Sequence, residues 1–139
     1  EVAYGKSCTQ SSTSAVNVGY HSASKAVDGD LNTFMHTDLD QSPYWIVDLG
    51  KTYQIKRIEI FNRKQGAIYT GRRLHDLDII VGTSLNNTHL CTQYAGPAEL
   101  GEHLVLGCQC DETARFVKLM LRGREYLHVA EVKVYTLYD

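Results

Sequence analysis

The chain has 139 residues, 43% of them apolar and 22% charged, a composition that supports a packed core and excludes a disordered chain. Its 14 basic and 16 acidic residues leave a net charge of −2, without the basic excess of a nucleic-acid or anionic-membrane surface. No apolar run approaches the length of a membrane span, so no membrane insertion is expected, and the length fits one domain over residues 1–139.

In chain order, Ser7 to Ser14 is rich in Ser and Thr and reads as an extended edge or loop. Ala23 to Val27 suits one helical turn or a short strand, and Asp28-Gly29-Asp30 marks a tight turn. Trp45 to Leu49 has strand composition and stops at Gly50. Tyr53 to Phe61 is β-branched and aromatic with polar residues interspersed, as in a half-buried strand. Leu74 to Val81, His103 to Leu106, Arg115 to Leu121 and His128 to Tyr138 read as further strands. No amphipathic helical stretch of useful length appears, and there is no internal repeat or charge block. Several strands separated by turn signals predict an all-β protein, an antiparallel β-sandwich or barrel.

The four cysteines, Cys8, Cys91, Cys108 and Cys110, point to two disulfides in an oxidising compartment, hence a secreted or extracellular setting. Zinc fits poorly, because only Cys108 and Cys110 are closely spaced and no histidine pair lies nearby. Asn86-Asn87-Thr88 is a glycosylation sequon. With Glu1 first and no leader-like segment, the chain reads as a mature or excised domain.

No catalytic motif is present: there is no nucleophile elbow, no zinc-protease helix and no phosphate-binding glycine loop, so no enzyme is expected. Asp28, Asp30, Asp38, Asp40 and Asp48 are numerous, but sequence alone cannot set two of them at glycosidase separation. Asp28-Gly29-Asp30 suits an ordinary turn and a hard-cation site equally well. His36, Arg63, Arg72 and Arg73 all fall at the ends of apolar strands. They read either as solvated strand-end charges or as a cluster for a polyol or an anion, since arginine presents a planar fork of donors.

At this point the residues resemble the F-type lectins, the fucolectin branch of the discoidin or coagulation-factor C-domain superfamily. That family's sugar motif is His, twenty-six residues, Arg, one residue, Asp, four residues, then Arg or Lys. His36 and Arg63 are separated by 26 residues, 37–62. Pro43-Tyr44-Trp45-Ile46-Val47-Asp48-Leu49 is similar to the family's Pro-Trp-Trp-Arg-Val-Asp-Leu. Asn62-Arg63 and Arg73-Leu74 also match, as do Ala26-Val27-Asp28-Gly29-Asp30 and Leu127-His128-Val129-Ala130-Glu131-Val132. Two departures stand out. Gln65 replaces the motif's Asp, and the stretch from Arg63 to Arg73 is three residues longer than the motif allows, with Arg72 as the rival second basic residue.

The resemblance implies a discoidin-like jelly-roll β-sandwich with ligand loops at one end, and a calcium-stabilised lectin for terminal L-fucose. The alternative it leaves is a discoidin-like module that has lost fucose recognition and binds another glycan or a protein. The implied sugar residues are His36, Arg63 and Arg73 as hydrogen-bond donors, with Gln65 beside them. Phe34, Met35 or Tyr69 would cover the sugar's methyl group and apolar face. The implied calcium ligands are Asp28 and Glu131 by side chain and Lys25, Asp30 and Ala130 by carbonyl, with Thr33 in the place of a family serine. The implied disulfides are Cys91–Cys108 and, by what remains, Cys8–Cys110. Fucosylated or other glycans are the expected partners, with oligomers or tandem copies supplying avidity.

Overall fold

In the computed structural model, residues 1–16, 18–108 and 112–137 are described. The strands are β1 (Ser7–Gln10), β2 (Met35–His36), β3 (Asp40–Gln41), β4 (Tyr44–Asn62), β5 (Leu77–Ser84), β6 (Asn87–Tyr94), β7 (His103–Leu106), β8 (Glu112–Leu121), β9 (Arg124–Glu125) and β10 (His128–Thr136). The α-helical content is one turn, α1 (Ile68–Gly71), and two 3₁₀ turns cover Val18–Tyr20 and Ala23–Val27.

All pairings are antiparallel, and β4 joins two layers. Its first part pairs with β1 and with β8, which leads on to β5 and β6. Its second part pairs with β7 and with β10, which carries β2 on its other side. Expected as two strands broken at Gly50, 44–62 is one strand. The ladder slips between Asp48 and Tyr53, where Gly50 adopts φ +89°; Tyr53 to Ile55 still pair with β8, and from Ile55 onward the strand pairs with β10.

Alternation along β4 explains the core. Trp45, Val47 and Leu49 point inward from the first part, and Ile58 and Ile60 from the second. They meet Leu77, Ile79 and Val81 of β5, Val117, Leu119 and Leu121 of β8, and Val132 and Val134 of β10, all essentially without solvent contact. Burying such side chains contributes about 1.5–3 kcal/mol each before conformational entropy is set against it. Trp45 also donates its indole N–H to Ala23 O at 3.0 Å, which fastens the segment before Asp28 to the core. This is the predicted all-β sandwich.

Several elements differ from expectation, β8 among them, which starts at Glu112 and not Arg115. β5 begins at Leu77, because Leu74 is buried in the preceding loop, where its N–H bonds Gly71 O. β10 ends at Thr136, and the expected end at Tyr138 lies outside the described residues. β6 was not expected at all. It is an edge strand with four exposed residues in succession, Asn87 to Leu90, so no alternation marks it. The sequon's Asn86 sits in the β5–β6 turn.

Cys91 of β6 is bonded to Cys108, as the resemblance implied. Cys8 of β1 is half-buried, with its Sγ 3.5 Å from Lys6 O. Its expected partner Cys110 lies outside the described residues. A non-reducing digest analysed by mass spectrometry is expected to yield the Cys91 and Cys108 peptides as one linked species. A Cys108–Cys110 link would overturn this pairing.

Candidate ligand-binding site

Residues at or beyond strand ends surround an open cleft of about 350 Å³, within the range of small-ligand sites. Alternation on β2 decides which side chains reach it. Met35 points into the core with no exposure, while Phe34 and His36 on either side face the cleft. Met35 is therefore corrected from candidate ligand contact to core residue.

Arg63 leaves the end of β4 and lines the cleft. Asn62, 2% exposed, fixes the surrounding loops. Its Oδ1 accepts from Arg63 N at 3.0 Å, and its Nδ2 donates to Gly71 O and Glu99 O, both at 2.9 Å. Gly71 packs so tightly that a Cβ there would lie 2.6 Å from Leu100 N. Asn62 thus places α1, and with it the two arginines that follow. Arg73 turns into the cleft. Arg72 turns away and pairs with Glu99 at 3.2 Å, so the rival position is excluded from the site.

Gln65 also does other work than expected. Its backbone oxygen accepts from Arg63 Nε at 3.0 Å, so a carbonyl orients the guanidinium where the family motif has a carboxylate. Its side chain turns outward, accepting from Lys64 N and donating to Asn32 O at 3.0 Å. Tyr69 is 69% exposed and stands at the rim, its ring 5.8 Å from the Arg73 guanidinium.

Both arginines in the cleft rest on aromatic faces. The Arg63 guanidinium lies 4.2 Å from the Phe34 ring centre, and that of Arg73 lies 4.7 Å from Tyr126. Among the described residues neither has a carboxylate within ion-pair distance. Stacking holds the planes in place while leaving N–H groups directed at whatever enters.

His36 Nδ1 lies 2.6 Å from Thr37 O. A carbonyl only accepts, so Nδ1 carries the proton and the neutral ring presents Nε2 as an acceptor. Burial first, then Arg63, His21 and Arg73, push the His36 pKa below 6.5, against the opposing Thr37 bond. The resemblance implied a donor; the geometry gives an acceptor.

Five further residues surround the cleft, four of them not legible in the sequence. His21 stacks on Phe34 at 4.6 Å, and Tyr126 meets His36 edge-on at 5.7 Å. Ser14 N donates to His36 O, and Ser14 and Val16 line the cleft. His128 pairs in register with His36, its ring 4.8 Å away and 1% exposed, with both ring nitrogens buried and unpartnered. Burial, followed by His36, Arg63 and Arg73, keeps His128 neutral. Strand pairing brings His128 beside His36, and its place next to the Glu131 segment was a visible signal; the other four lie in loops and reach the cleft by long-range packing.

Behind the cleft lies the acidic turn. Gly29, at φ +76°, donates its N–H to Glu131 Oε2 at 3.0 Å. Glu131 is 2% exposed and its Oε1 is buried without a partner. Burial, then the Asp28 carboxylate, push its pKa up to about 8 against the Gly29 bond. Asp28 accepts from Thr33 Oγ1 at 2.5 Å and from Asp30 N at 3.0 Å. The structure thus brings together Asp28, Thr33 and Glu131. Among the described residues no three His, Cys, Asp or Glu side chains are placed to hold a metal ion by themselves, so a cation here would need backbone oxygens to complete its shell.

A family model described as a NedA-like, galactose-binding domain matches residues 25–119. Fucolectin-6 of Anguilla japonica is 33% identical over 120 residues, covering 81% of this chain and 62% of its own length. This chain therefore spans less than two thirds of that relative. Fucolectin of Anguilla anguilla is 31% identical over 122 residues, covering 81% of this chain and 75% of its own. A Streptococcus pneumoniae fucose binding module superposes with TM-score 0.79 and 29% identity, over 97% of this chain and 94% of that one. No helix among the described residues is long and apolar enough to cross a membrane. With its jelly-roll sandwich and a cleft built from His36, Arg63 and Arg73, the chain belongs to the fucolectin, or F-type lectin, family of carbohydrate-binding domains in the discoidin superfamily.

Proposed function

We propose that this domain binds terminal L-fucose on extracellular glycans, without catalysis, and is stabilised by calcium. The observation that carries the reading is the convergence of His36, Arg63 and Arg73 on one cleft, with Arg72 excluded. A fucose ring offers hydroxyl and ring oxygens as acceptors for the arginines, in charge-assisted bonds that hold better than neutral ones when water competes. A sugar hydroxyl would donate to His36 Nε2. Phe34 and Tyr126 supply apolar surface for the methyl group and ring face. The Cys91–Cys108 disulfide supports an oxidising, extracellular setting. A single open site is typically weak, so avidity would come from several copies.

Calcium fits the acidic turn on chemical grounds. A buried carboxylate with an orphaned oxygen beside a second carboxylate is costly unless a proton or a cation joins them. Asp28, Thr33 and Glu131 would hold the ion with carbonyls of Lys25, Asp30 and Ala130. It would supply positive charge and rigidity to the segment leading to Phe34 and His36.

A glycan array run with and without calcium tests the reading. Retention of fucosylated glycans over their defucosylated counterparts is expected. A folded, calcium-loaded protein that ignores all of them would overturn it.

The proton on His36 gives a second expectation. At neutral pH Nε2 is an acceptor; below the folded pKa it becomes a donor, the hydroxyl can no longer donate to it, and a further positive charge joins Arg63 and Arg73. Affinity for neutral fucose should stay level above pH 6.5 and fall in more acid solution, with a midpoint below 6.5. The same ring affects stability. An unfolded histidine takes its proton near 6.5 and the folded one only at lower pH, so its share of stability is full above 6.5 and lost as pH falls towards the folded value. The groups facing the ring are His21, His128, Arg63, Arg73 and Tyr126. Titration calorimetry across this pH range is the check. Binding that strengthens in acid would reject the acceptor role.

A further inference from the structure

We infer that the cleft selects acidic saccharides, those in which a sulfate ester or carboxylate sits beside the hydroxyls that His36 and the arginines engage. The inference rests on the reading of the cleft as a sugar site, and it names a ligand chemistry that the neutral fucose ring lacks.

The first observation is the sign of the charges. Every charged group that acts on His36 is a cation or a second histidine: Arg63, His21 and Arg73. Those acting on His128 are His36, Arg63 and Arg73, and the one acting on Arg63 is Arg73. The chain as a whole is net negative, so this is a local arrangement and not an overflow of general basicity.

The second is how other cations are treated. Arg57 pairs with Glu59, Arg72 with Glu99, Arg115 with Asp48, and Arg122 with Asp76 and Asp78. Arg57 and Arg115 also lie over rings, of Tyr135 and Phe116, but keep their carboxylates, whereas Arg63 and Arg73 rest on rings and, among the described residues, have none. The nearest acids in sequence to His36 are engaged elsewhere: Asp38 accepts from Ala15 N, and Asp40 from the Ser11 and Ser12 hydroxyls. Where the family motif has a carboxylate against the first arginine, Gln65 supplies only a carbonyl to Nε.

Two guanidiniums facing one small cleft repel each other, and burial of Arg63 deepens that cost. A neutral ligand leaves the repulsion in place. An oxyanion between the two forks relieves it and accepts several N–H bonds in the planar geometry that arginine matches. A cleft of about 350 Å³ leaves room for such a group beside one sugar ring.

Matched pairs test this by titration calorimetry: methyl α-L-fucoside against its monosulfate esters, and galactose against galacturonate. In any pair that binds, the acidic member is expected to bind about tenfold tighter or better, and the preference should shrink as salt rises from about 50 mM to 500 mM. Arg63→Gln and Arg73→Gln should each abolish the preference, while Arg72→Gln, which removes the same charge outside the cleft, should retain it. The two pairs tell sulfate from carboxylate as the source of the anion. Fucoside binding as tight as its sulfates, with no difference in salt dependence, would overturn the inference and leave the fucose reading standing. Tight binding of galacturonate with none of any fucoside would support the inference and end the fucose reading. Failure of every sugar, with the protein folded, would end both.

Discussion

Replacing Arg63 by alanine is expected to weaken L-fucose binding by tenfold or more, and Arg73→Ala similarly, while Arg72→Ala leaves affinity within about twofold. Losing a charged hydrogen-bond partner from a site that still desolvates its ligand costs about 1.5–3 kcal/mol, or roughly 10- to 150-fold. Arg63 carries a further role, because its guanidinium lies on Phe34 and bonds Gln65 O. Its removal would also free the ring that faces the sugar. Arg72 makes its charged bonds to Glu99, on exposed surface where an ion pair contributes little. The comparison of adjacent arginines is the discriminating feature, since both substitutions remove one positive charge from the same loop. Calorimetric titration with free fucose measures all three. Equal losses at 72 and 73 would mean that loop integrity, not the cleft, controls binding.

The second large effect concerns the metal. Calcium at a hundredfold excess over its dissociation constant adds about 2.7 kcal/mol to stability, so chelation is expected to lower the Tm by roughly 10 °C. The ion would bridge Asp28 and Glu131, which lie far apart in sequence but meet through the Gly29 N–H. Glu131→Gln separates the metal from its surroundings. Without calcium the variant should be at least as stable as the parent, because a neutral amide avoids the cost of holding a carboxyl protonated at neutral pH beside Asp28, where burial raises its pKa to about 8. With calcium it should gain nothing. Thermal unfolding with chelator and with added calcium decides the matter. A parent protein whose transition ignores both, and which retains no metal on purification, would remove calcium from the account.

The fold was legible where strands alternate over a core. Trp45 to Leu49 and Tyr53 to Phe61 carry the pattern plainly, although their union into β4 depends on a ladder slip that composition does not record. The edge strand β6 escaped because edges bury little and so carry no period. In the site, the resemblance to the lectin motif singled out His36, Arg63 and Arg73, but it could not say whether Arg72 or Arg73 faced inward. That depends on how Asn62 and Gly71 set the loop. Met35 was misplaced because a two-residue strand is too short to show its alternation. Tyr126, His21, Ser14 and Val16 reach the cleft through long-range packing, which no local signal carries.

The hydrogen bond from Gln65 Nε2 to Asn32 O has a consequence for how the two proposed ligands would influence each other. It clips the loop bearing Arg63 to the loop bearing Asp28 and Thr33, while Gln65 O steadies Arg63 itself. Any free energy by which an ordered acidic turn improves sugar binding must, by reciprocity, reappear as an equal improvement in metal binding when sugar is present. Gln65→Ala, which removes the clip, is therefore expected to reduce any such coupling, measured as the change in fucose affinity on adding calcium. Where the family motif has an acid, position 65 thus carries a strut between the cleft and the acidic turn.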